Sequence, residues 1–233
     1  MKAFKTGHEL FDLISNLRTG SLVCVLDETY SESLDFLNAL LLNLKEMPVY
    51  VLAPYEVETP FPIIKIDITK SLNEINLEIA SIREKVNKGV LIHRYLPYIL
   101  LKENENAFLK MLNYWSSKIA ETELVEFVLL PRGTFMPFEK KLQAITDGVI
   151  AIKVEKREED YQPMFSILRG SKPVYHFIEF PCFIKEGQLL IKWGDKFTVN
   201  APEIRKEDIS ATFLKNERKK WEQQQMLTNP YCV

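Results

Sequence analysis

Glycine, cysteine and histidine are all scarce in this chain of 233 residues, and each scarcity removes a class of chemistry. The three cysteines, Cys24, Cys182 and Cys232, are odd in number and far apart. They suit neither a disulfide framework nor a zinc site, and they fit a reducing compartment, the cytoplasm. Cys24 and Cys182 stand in apolar runs and are expected to be buried small hydrophobes. The three histidines, at positions 8, 93 and 176, do not cluster into a triad or a metal centre. None of the patterns GxSxG, HExxH, CxxC or GxGxxG occurs. No apolar run approaches the roughly 20 residues that span a bilayer. The opening stretch MKAFKTGHELFDLISNL carries an acidic residue inside its apolar pattern and no small-residue cleavage site. It reads as an amphipathic helix rather than a signal peptide. There is no internal repeat, low-complexity tract or Gly/Ser linker. The formal net charge is -2, so nothing global draws the chain to nucleic acid or to an anionic membrane.

What is present is an ordinary globular composition, 46% hydrophobic and 27% charged. The first half alternates short apolar runs with amphipathic segments. Strands are expected at 21–26 (SLVCVL), 48–52 (PVYVL), 62–66 (PIIKI), 89–92 (GVLI) and 126–130 (EFVLL). Helices are expected at 10–17, 33–44, 72–86 and 107–120, from apolar residues at three- and four-residue spacing. Continuous apolar strands separated by helices predict a mostly parallel sheet covered on both faces, an α/β three-layer fold. After Gly148 the texture changes. Segments 149–154, 165–169, 174–180 and 188–192 read as strands with tight connections, an antiparallel extension of that sheet. Residues 202–226 are polar and helix-prone.

This order of elements resembles the RecA-like ATPase core. The chain is similar to the RecA/KaiC-like superfamily, as in archaeal RadA paralogues and KaiC-type proteins, and to a small archaeal group of RecA-like proteins of unknown function. TDGVIAIK (Thr146–Lys153), SILRGSKP (Ser166–Pro173) and FIEFPCFIKEGQLLI (Phe177–Ile191) resemble the superfamily's late strands and hairpin. TGSLVCV (Thr19–Val25) resembles the approach to its phosphate loop. The resemblance spans roughly residues 5–193. It implies one RecA-like domain over 1–193 and a C-terminal helical extension and tail over 194–233.

The resemblance lays DETYSESL (Asp27, Glu28, Thr29, Tyr30, Ser31, Glu32, Ser33, Leu34) on the phosphate loop. Such a loop needs glycines to wrap phosphates, a lysine for their charge and a hydroxyl for magnesium. Here Asp27 and Glu32 stand at glycine positions, Ser33 at the lysine and Leu34 at the hydroxyl. Carboxylates there would oppose a triphosphate by about 1–4 kcal/mol per close pair. Serine and acidic residues do suit the positive end of a helix. The stretch is therefore expected to begin a helix without an anion.

At the end of the fourth strand, His93 stands where the superfamily implies a magnesium-holding aspartate, and Arg94 follows. Histidine is a poor magnesium ligand, and a packed or hydrogen-bonded side chain is the plainer reading. Glu56 matches the glutamate that would polarise water, but a general base has no use without phosphate and metal. Arg169 keeps the arginine of the subunit-bridging hairpin, while Ile167 replaces its lysine. Arg132 follows the fifth strand. The resemblance implies a degenerate, non-catalytic protein without cofactor that binds a protein partner or itself. A second expectation is a small-molecule cleft at the sheet end, built from Glu56, His93, Arg94, Arg132 and Arg169. A role in DNA recombination, implied by the RadA likeness, finds no support in the charge.

Overall fold

The computed structural model describes residues 2–28, 32–45, 47–133, 136–157, 160–171 and 175–201, without the side chains of residues 136, 137, 157 and 160. The chain divides into Met1–Asn200 and Ala201–Val233. The expected helix at 202–226 lies outside the described residues.

The elements run, in chain order, α1 (Glu9–Ser15), β1 (Ser21–Asp27), α2 (Glu32–Leu41), β2 (Val49–Ala53), β3 (Ile63–Lys65), α3 (Leu72–Val86), β4 (Lys88–His93), α4 (Leu96–Lys102), α5 (Glu105–Ile119), β5 (Glu123–Pro131), α6 (Met136–Ile145), β6 (Gly148–Arg157), β7 (Asp160–Arg169), β8 (Glu179–Lys185), β9 (Gln188–Trp193) and β10 (Lys196–Thr198). One ten-stranded sheet has the order β10-β9-β8-β7-β6-β1-β5-β4-β2-β3. Neighbours from β6 to β3 pair in parallel, and β7 to β10 continue the sheet antiparallel. The expected parallel core is present, with one correction. Strand β6 is antiparallel to β7 as expected and also parallel to β1, so it joins the two parts of the sheet rather than belonging to the extension alone. Strand β10 pairs with β9 within the first unit.

The strands are apolar on both faces because both are covered. Strand β1 is buried along its whole length. Its Val23 and Val25 join α1, α2 and the antiparallel strands in one core, with Phe11, Phe36, Phe165 and Phe180. Its Leu22, Cys24 and Leu26 join α3 to α6 in the other, with Phe108, Trp115 and Phe138. Cys24 and Cys182 are buried, as expected. At the amino edge, β4 approaches the segment before β2 closely. A Cβ on Gly89, whose φ is +152°, would lie 2.7 Å from the Pro48 carbonyl oxygen, so only glycine fits.

Candidate functional site

The carboxyl ends of the parallel strands form the edge where open α/β sheets bind ligands. Strand β1 delivers Asp27 there, fully buried. Its Oδ2 accepts the backbone N–H of Ser33 in the first turn of α2 at 2.8 Å. The positive end of α2 therefore meets a carboxylate from its own chain. Leu34, at the position of the magnesium-binding hydroxyl, is packed into the core. Arg132, just beyond β5, donates its backbone N–H to the Asp27 carbonyl at 2.8 Å. The Arg132 Nη1 lies 3.5 Å from Glu28 Oε1, a weak surface pair. Thr29, Tyr30 and Ser31 lie outside the described residues.

Acidic groups gather behind Asp27. Burial, then the charges of Asp27 and Asp35, raise the pKa of Glu32. Burial, then Glu58, raise that of Asp35, while Arg94 acts in the opposite sense. Arg94, beyond β4, donates from Nη1 to the Tyr55 hydroxyl at 3.0 Å, and Tyr55 and Tyr98 share a 2.6 Å hydrogen bond. An open groove of about 550 Å³ runs beside Tyr55 along the ends of β2 and β3.

His93 is not in this cleft. It points into the core beneath α3 and α5, where Nε2 meets Glu126 Oε2 at 2.8 Å and Nδ1 lies 3.3 Å from the Tyr95 hydroxyl. Arg83 of α3 grips the same carboxylate twice, Nε to Oε1 and Nη2 to Oε2, both 2.7 Å. Its guanidinium lies 4.5 Å from the Trp115 ring centroid, and the Trp115 Nε1 donates to Asn76 at 2.6 Å. Burial opposes the charge of Glu126, but its partners win and hold the pKa at about 2. Glu126 and Arg83 were not singled out from the sequence. Two signals mark them: a lone glutamate inside the apolar run LVEFVLL, and an arginine continuing the buried stripe Ile75, Ile79.

The remaining expected residues are dispersed. Glu56 is exposed on the loop after β2. Arg169 ends β7 opposite Val149, at the amino edge of the parallel strands, and donates to the Gln143 carbonyl. Arg94 and Arg132 therefore share the carboxyl edge, whereas His93 and Arg169 do not join them. Among the described residues no cluster of three His, Cys, Asp or Glu could hold a metal ion. No helix among them is long and apolar enough to cross a membrane.

Comparison with solved structures finds a KaiC-like protein from the hyperthermophilic archaeon Pyrococcus horikoshii at a TM-score of 0.65 and 14% identity, covering 82% of this chain and 99% of that one. No family model and no curated protein matches the chain. The likeness is one of fold: a mostly parallel sheet between helical layers, continued by antiparallel strands, the RecA-like architecture of a KaiC-like protein.

Proposed function

We propose that this chain is a RecA-like protein that neither binds nor hydrolyses nucleoside triphosphates and serves as an interaction or assembly module, paired with itself or with another protein. The observation that carries this reading is the Asp27 carboxylate on the Ser33 N–H at 2.8 Å. A phosphate seated on the first turn of α2 would have to displace that carboxylate and then face Glu32 and Asp35. Strand β4 ends in a histidine turned inward, which leaves no carboxylate there for magnesium. A fold kept without that chemistry presents surface, and function then rests with whatever contacts it. The segment 202–233, beyond the compact first unit, is the candidate contact.

The test is titration calorimetry with ATP and Mg²⁺, together with melting curves. A ligand at 100 times its Kd stabilises the folded state by about 2.7 kcal/mol, so even weak binding is visible. The expected result is neither heat nor shift; micromolar binding overturns the reading. Mass determination on the full chain and on one ending at Asn200 tests the contact, which fails if assembly and partner binding are unchanged. The second reading, a small molecule at the carboxyl edge, draws on the open groove beside Tyr55 and Arg94.

A further inference from the structure

The phenolic oxygen of Tyr55 occupies an unusual place. It follows β2 at the carboxyl edge of the sheet, and the residue is 43% exposed. Two hydrogen-bonding groups converge on its oxygen. Arg94 Nη1 lies at 3.0 Å, and a guanidinium can only donate. The Tyr98 hydroxyl lies at 2.6 Å, a length typical of a strong O–H···O bond. The Arg94 guanidinium also sits 5.7 Å from the Tyr55 ring centroid. The two rings meet edge to face, with centroids 6.1 Å apart. The adjoining groove of about 550 Å³ is walled by Pro54, Tyr55, Lys65, Asp67 and Lys70, so a reagent has room beside the hydroxyl.

We propose that Tyr55 is a nucleophilic phenol, the acceptor for an acyl group delivered by an activated acyl donor. Charge on its oxygen is met in advance by Arg94 and Tyr98, which need not move when the proton leaves. In the step itself the Tyr55 oxygen attacks the acyl carbon and a C–O bond forms. With N-acetylimidazole as donor the C–N bond breaks, and imidazole departs with the electron pair and takes up the phenolic proton. Nothing is oxidised or reduced. The Tyr98 bond first, then the hydrogen bond and charge of Arg94, lower the Tyr55 pKa against burial, while the shared bond raises that of Tyr98. An activated nucleophile in an accessible site is how proteins make covalent intermediates and modification sites. The inference stands apart from the nucleotide reading, since neither group belongs to the phosphate-loop stretch.

The experiment treats the full chain with N-acetylimidazole and follows O-acetylation of each tyrosine by peptide mass spectrometry as a function of pH. Tyr114 and Tyr161, 49% and 70% exposed, are the internal standards because reagent reaches them at least as easily. The expected result is that Tyr55 is acetylated severalfold faster than either near neutral pH, and that its rate profile lies on the acid side of theirs. Y98F and R94Q should each shift the Tyr55 profile back toward that of Tyr114. A Tyr55 that reacts no faster than Tyr161 in the native chain overturns the proposal, and so does a profile unmoved in both variants.

Discussion

Replacing Glu126 by glutamine removes one charge from the centre of the molecule and nearly no volume. Glu126 is fully buried, and three short hydrogen bonds hold its carboxylate: two from Arg83 at 2.7 Å and one with His93 at 2.8 Å. In E126Q the guanidinium of Arg83 stays buried and loses its counter-charge. Breaking one side of a buried ion pair costs about 3–5 kcal/mol. Such a domain is stable by about 5–15 kcal/mol, so the loss is a large share of the total. At about 2–4 °C per kcal/mol for a domain of this size, Tm should fall by about 6–20 °C. The double variant R83M/E126L removes both charges and keeps apolar bulk. It should melt above E126Q, because the main penalty is the orphaned charge rather than the lost attraction. Acid provides an independent check. The folded pKa of Glu126, about 2, lies below the ordinary 4.5. The stabilisation it supplies is full above pH 4.5 and is lost as pH falls toward 2, about 3 kcal/mol in all. Thermal melts of wild type and both variants from neutral to acid pH read all of this. A Tm for E126Q within about 2 °C of wild type, or a double variant melting below the single one, would refute the reasoning.

His8 caps α1 by accepting the Phe11 N–H on Nδ1 at 3.2 Å, and its Nε2–H donates to the Leu189 carbonyl at 3.1 Å, so the ring is held neutral. Burial lowers its pKa below 6.5, so the unfolded chain takes up the proton first; stability should decline as pH drops below 6.5, and H8N should flatten that slope in urea titrations. Asp12, raised by burial above 3.8, contributes with the opposite sign at more acid pH. D27L should lose about 1–3 kcal/mol, because the Ser33 N–H is left buried without an acceptor; D27N, which keeps an acceptor, should lose less. Both are checked by chemical denaturation. S71A should cost about 1 kcal/mol, since Ser71 and Glu74 form a reciprocal capping box at the start of α3.

The parallel core was legible in the sequence because its strands are buried on both sides and so read as unbroken apolar runs. The parallel pairing of β6 with β1 was missed beside its antiparallel pairing with β7, because strand direction leaves no mark on residue pattern. VIAI in β6 looks the same beside β1 in parallel as it would beside β7 alone. The helices α4 and α6 were not anticipated. LPYILL in α4 follows β4 almost without a break, and an apolar run that short has no period of its own to separate it from a strand. That DETYSESL holds none of the glycines or the lysine of a phosphate loop was legible in residue types alone, but the contact Asp27 makes was not. Which backbone N–H the Asp27 carboxylate would meet depends on the turn between β1 and α2. The Arg83–Glu126–His93 network is the clearest case of geometry beyond pattern. Its members lie on α3, β5 and β4, and only the parallel pairing of β4 with β5 sets His93 beside the strand that carries Glu126.

On the proposed reading, the contacts made at the ends of β1 and β4 are how a RecA-like sheet would persist without an anion at its edge. The first turn of a helix exposes N–H groups that must be satisfied. In a nucleotide-binding relative of the fold a phosphate meets that demand, so stability is tied to ligand. Here Asp27 meets that demand at the Ser33 N–H from within the chain. The same logic applies on the other face. A strand-end aspartate serves a metal only if it faces the cleft, whereas His93 faces Glu126 and turns the end of β4 into a structural joint between α3, α5 and β5. Asp27 and His93 each make a fixed polar contact at a buried position. Placing a lysine at position 33 alone should therefore not create ATP binding. The ammonium introduced by S33K would be drawn first to Asp27, whose carboxylate also holds the backbone N–H at position 33. A nucleotide-dependent rise in the Tm of S33K with Asp27 intact is the outcome that would break this account.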